Sequence, residues 1–177
     1  MNRLTVLTLT TLASLSLAVA FPAGDAAAQQ KQQASFKTPA ANTKYTQQQA
    51  IDVGDVAGHQ VRVYEIHRTY PSNAPVINGM RLVESWSRGV TDYIDGNGPN
   101  TTYNVYVLDN GDKIFTRAAL VAQSLGGGKI TTTSAGAITG GTGKLAGIQG
   151  IIRTTGTAEP KSGVNENQTD IEYWFNK

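Results

Sequence analysis

The chain has 177 residues, of which 40% are hydrophobic and 16% charged, with a net charge of +2 and no cysteine. That length suits one ordinary domain, and the small, scattered surplus of Lys and Arg excludes a nucleic-acid interface on charge grounds. The absence of cysteine excludes disulfides, thiolate nucleophiles, cysteine-ligated zinc and a lipidated cysteine anchor.

In chain order, Met1–Arg3 is a short positive start, residues 4–20 are apolar, and Ala26-Ala27-Ala28 forms an A-x-A-like site before Gln29. This pattern predicts a secretory signal peptide over 1–28 carrying a short N-terminal signal helix, with Ala18-Val19-Ala20 as a second cleavage site. As a membrane anchor the run is at the lower limit of length, and its threonines weaken it further. The mature chain is therefore expected to be secreted or periplasmic, with no membrane segment after removal of the signal. Residues 29–49 are rich in Gln, Ala, Thr and Lys and poor in large apolar side chains. They read as a flexible leader that cannot repay its ordering entropy, leaving 50–177 as the domain.

From His59 the pattern alternates with period two, which argues for a strand over 59–70. Val61, Val63, Glu65 and His67 share one face, and Arg62, Tyr64, Ile66 and Arg68 the other. A second long extended stretch covers 80–94 and ends in the turn cluster Asp95-Gly96-Asn97-Gly98-Pro99. Residues 101–109 have high β-propensity. Asn110-Gly111 then predicts a type I′ hairpin turn into a strand over 113–124. A helix over 117–125 is the competing reading on propensity. Gly126-Gly127-Gly128 turns into a Thr-rich strand over 129–139, Gly140 to Gly143 turn again, and strands follow over 145–159 and 168–176. These are seven strands, with an eighth over 50–57. Their length and regular connection predict an all-β fold, an antiparallel eight-stranded closed barrel of calycin-like type, with room inside for side chains or one small ligand.

The run Thr139-Gly140-Gly141-Thr142-Gly143-Lys144 invites a phosphate-loop reading. It fails, because Ile138 stands where a Walker loop needs its first glycine and Leu145 where it needs Ser or Thr. The looser G-x-G-x-x-A match at 141–146 lacks the following helix that gives that pattern meaning. The segment 138–150, with Gly140-Gly141-Thr142-Gly143-Lys144 followed by Leu145-Ala146-Gly147-Ile148-Gln149-Gly150, instead resembles a hairpin of the allene oxide cyclase and dirigent barrels. That resemblance implies an eight-stranded barrel with an apolar cavity and assembly into dimers or trimers. It also implies either cyclisation of an unstable fatty-acid epoxide or steering of phenolic radical coupling. It carries over no catalytic residue.

Several side chains are candidates for a site. If the Glu65 face is interior, Glu65 and His67 point into one cavity, where burial would raise the carboxyl pKa and make it a usable acid or base. Outside, both are simply solvated. Glu84, Trp86, Arg88 and Asp92 form a second same-face set with Leu82 and Val90; inside, Glu84 and Arg88 would pair or hold a ligand carboxylate against Trp86. Outside, they are a cross-strand ion pair. Tyr103 and Tyr106 fall on opposite faces, so at most one lines a cavity, and Arg117 could reach an anionic head group. His59 and His67 lie about 26 Å apart along an extended strand, too far to share a metal ion, and no cofactor motif is present.

Three functions follow. The first is a barrel binding a small hydrophobic or amphipathic molecule. The second is a cyclase or isomerase with Glu65 or Glu84 as acid–base group and His67, Trp86, Arg88, Tyr103 and Arg117 around the ligand. The third is a solid-core structural or interaction protein. The strand faces and the presence of a cavity discriminate among them.

Overall fold

The computed structural model describes residues 30–175; the expected signal peptide and its helix lie outside those residues. The described chain is all-β. Its strands are β1 (Gln32–Thr38), β2 (Thr43–Asp52), β3 (His59–Thr69), β4 (Val76–Ile77), β5 (Met80–Ile94), β6 (Gly98–Leu108), β7 (Lys113–Gly126), β8 (Lys129–Gly141), β9 (Ile148–Glu159) and β10 (Val164–Phe175). They form one antiparallel ten-stranded sheet in the order β1-β10-β9-β8-β7-β6-β5-β3-β2, with β4 beside β5. The helical reading of 117–125 gives way to β7, which is paired on both sides along its length.

The segment expected as a flexible leader is ordered into β1 and most of β2. Two effects overcome its polar composition. The β1 backbone ladders onto β10 from Gln32↔Tyr173 to Thr38↔Asn167, and alternate residues Phe36 and Thr38 are buried, with the Phe36 ring edge-on to Tyr70 at 5.6 Å. β2 is almost wholly exposed and is held by its ladder to β3.

The ends of the sheet path are neighbours in sequence. A single 3-10 turn at Ala40–Asn42 joins β1 to β2, so the sheet must curl until its two edges approach. Across that seam there is no backbone ladder. Side chains span it instead: Asn165 Nδ2 donates to the Tyr45 hydroxyl at 3.2 Å, Arg68 donates to Asn165 Oδ1 at 2.9 Å, and Gln48 donates to the Pro160 carbonyl at 3.3 Å.

The hairpin at Asn110-Gly111 departs from the type I′ expectation. Only Gly111 has a positive φ, +87°, because the Asn110 side chain accepts the Asp112 N–H at 3.1 Å and stays in the ordinary region. The result is a longer turn with the left-handed residue after it. The glycine-rich run proves to be a second turn docked on this one. A 3-10 turn at Gly143–Leu145 follows β8, Thr142 Oγ1 accepts the Lys113 N–H at 2.8 Å, and Asp112 accepts the Lys144 N–H at 2.9 Å. Gly143 has φ +53°, and a Cβ there would collide with the Asp112 carboxylate. Glycine is therefore demanded by the turn. Its product is Leu145, 0% exposed, driven into an apolar layer with Ile77, Leu82, Leu108, Ile114, Ile148 and Ile171.

Candidate functional site

A bulge at Val83 decides which face of β5 is inside. Leu82 pairs with Leu108 and Glu84 with Val107, with Val83 extra. Met80 and Leu82 are buried before the bulge and Ser85, Ser87, Gly89 and Thr91 after it. Leu82 and Glu84, placed on one face by simple alternation, are therefore on opposite faces, because one extra residue inverts the parity of all that follows. On β3 the buried side is that of Ile66 and Arg68.

All seven candidate residues consequently lie on the convex, outer face. They meet there as a cross-strand cluster. Glu65 is opposite Arg88, His67 opposite Trp86, and Arg88 opposite Tyr103, which is opposite Arg117. Arg88 Nε is 2.7 Å from Glu65 Oε2, and His67 Nε2 is 2.8 Å from Glu84 Oε2. The His67 ring stacks on Trp86 at 4.1 Å and 16°. Arg88 lies over Trp86 and Arg117 over Tyr103 at 5.5 and 5.7 Å. Tyr103 is 53% exposed.

The protonation of these carboxyls follows from their partners. A hydrogen bond from Thr46, aided by Arg88, holds Glu65 below its usual pKa, and one from His67 does the same for Glu84. Both are ionised at neutral pH and poor proton donors there. The arrangement acts as a cross-strand staple, which solvent screening weakens at this exposed surface.

The concave face carries a different set of side chains. Arg68 donates to Ser87 Oγ at 2.8 Å, Ser87 donates to Asn104 Oδ1, and Asn104 Nδ2 donates to Thr116 Oγ1 at 2.9 Å. This buried chain crosses β3, β5, β6 and β7. Nearby, the Tyr70 hydroxyl bonds Ser85 Oγ at 3.0 Å, Asn100 donates to the Tyr64 hydroxyl at 2.9 Å, and Thr154 meets Thr169 at 3.2 Å. Gly89 makes space for the Tyr64 ring, which lies where a Cβ would be. Arg62 sits over the rings of Tyr45 and Tyr64 at 6.0 and 5.5 Å.

These groups surround a cavity of about 80 Å³. Its lining is largely phenols, hydroxyls, carboxamides and the two guanidiniums of Arg62 and Arg68, with Leu120, Ile130 and Ala158 toward one side. Burial raises the pKa of Tyr45, lifts that of Tyr93 to about 12 and raises that of Tyr106, so these three phenols are neutral. Of the tyrosine pair weighed from sequence, Tyr106 is the interior one.

A sequence signal for this face does exist. On β5, Ser85, Ser87, Gly89 and Thr91 alternate with Glu84, Trp86, Arg88, Val90 and Asp92. The inside of a tightly curved sheet has less room than the outside, so the small member of each alternation belongs inside. No family model, curated protein or solved structure matches the chain.

Proposed function

We propose that the sheet is an exported barrel, closed at its seam by side chains, whose interior binds a small amphipathic molecule. The observation that supports this best is the polar cavity. A solid-core protein would fill that space with apolar side chains, as the layer around Leu145 does, whereas here hydroxyl, carboxamide and guanidinium groups converge on it. Thr102 Oγ1 and Asn167 Oδ1, both on the cavity lining, are buried without a hydrogen-bond partner. Buried polar atoms in that state favour an occupant that can bond to them. The resemblance of the 138–150 hairpin to allene oxide cyclase and dirigent proteins belongs to the same reading. So does export, for which the N-terminal residue of the mature protein, after Ala20 or Ala28, is the check.

Native mass spectrometry of protein purified from its host tests binding directly. The expected result is a small-molecule adduct that is lost from Ser134→Leu, which places bulk in the cavity. A bare polypeptide mass, or an adduct that Ser134→Leu retains, would overturn the proposal.

A further inference from the structure

Arg68 is 7% exposed, and its guanidinium has five N–H donors. Two are used, on Ser87 and Asn165. Its Nε is buried without a partner, and among the described residues no Asp or Glu forms an ion pair with it. The one carboxylate on the cavity lining is Glu166, which is exposed and accepts from Thr157 at 3.2 Å. Arg62 lines the same cavity and is likewise without a carboxylate; it donates to Gln48 at 2.9 Å. The surrounding phenols cannot serve as counter-ions, since burial holds Tyr45, Tyr93 and Tyr106 in the neutral form. Two guanidiniums therefore line one cavity without an ion-paired carboxylate, and for the buried Arg68 desolvation makes that arrangement unfavourable unless an anion enters.

We propose that the interior is an anion site in which Arg68 takes the carboxylate of a small organic acid. This inference rests on interior binding and names the chemistry of the occupant. Arg68 supplies the planar fork that matches a carboxylate, with Nε and the remaining N–H groups as donors. Arg62, stacked on Tyr45 and Tyr64, is the second positive charge on the path in. The cavity of about 80 Å³ is several times the roughly 10–15 Å³ that one water needs. It has room for a carboxylate head or an acid the size of formate or acetate.

The test is a titration of isotopically labelled protein with sodium formate, against sodium chloride at matched ionic strength, following the arginine Nε–H resonances. The expected result is a saturable shift of the Arg68 resonance with a dissociation constant on the order of 1 mM, the ceiling for so few atoms. The exposed Arg81 and Arg153 serve as controls and should not saturate. In Arg68→Met, formate should no longer raise the melting temperature. Should that variant fail to fold, the wild-type titration decides alone: a linear shift shared by all arginines, or no shift, overturns the anion site. A neutral molecule found by native mass spectrometry, with formate silent, would remove the anion and leave interior binding standing.

Discussion

The two ends of the concave face are built from the same strands and differ in almost everything else. Around Leu145, side chains from β4 to β10 interlock as an apolar layer in which Ile77, Leu82, Leu108 and Ile114 are fully buried. Further along β5, β6 and β7, and on the adjoining β3, the interior belongs to Ser87, Asn104, Thr116 and Arg68. On β5 the boundary is the bulge at Val83, with Met80 and Leu82 in the apolar layer and Ser85 onward in the polar one. The difference teaches a division of labour: the apolar end supplies stability, which frees the other end to keep polar groups that a stability-driven core would exclude.

Three experiments would break or sharpen that contrast. The largest effect is expected from Leu145→Ala, which empties a fully buried site and should lower unfolding free energy by about 2–5 kcal/mol in urea. A loss below about 1 kcal/mol would show that the glycine-rich turn does not anchor the apolar end. Asn104→Ala removes an acceptor from Ser87 and a donor to Thr116, and should lower stability by about 1–3 kcal/mol; a neutral result would mean that the buried chain is not needed for folding.

The smallest effect concerns pH. His59 bonds Asp92 and Asp55 through its two ring nitrogens at 2.7 and 2.6 Å, and an imidazole can donate to both only as the cation. These bonds raise its pKa above the usual 6.5. A raised histidine contributes stability that is fully present below the unfolded value and is lost as pH rises through the folded one. The wild type should therefore lose a small increment of urea resistance above about pH 6.5 that His59→Gln does not lose. Parallel pH profiles for the two proteins would show that the bonds of His59 to Asp92 and Asp55 add no stability. On the acid side, Asp55, Glu65, Glu84 and Glu172 are all held below their ordinary values, so their contribution disappears as pH falls through those lowered values.

Much of the strand pattern was legible from alternation and turn residues. β5 runs from Met80 to Ile94 as periodicity indicates, and β3 begins at His59. β1 and β2 were not, because most of what holds their polar residues is a backbone ladder, to β10 and to β3, rather than a run of apolar side chains. The outer cluster was legible as a same-face set, since Glu65 and His67, and Glu84, Trp86 and Arg88, do share faces. Its direction was not, because period two fixes relative and not absolute orientation, and the Val83 bulge breaks even the relative rule. The interior chain from Arg68 to Thr116 draws one residue from each of four strands, and no local motif encodes such a row.

The join between β1 and β2 also bears on how the chain reaches its final state. β2 to β10 can assemble as successive neighbours, each strand meeting one already close to it in sequence. β1 cannot: Lys31 reaches Glu172 across 141 residues. Loop-closure entropy disfavours such a distant contact until intervening structure brings the ends together. Among the described strands, β1 is therefore the one whose pairing loop-closure entropy disfavours most until the others have assembled.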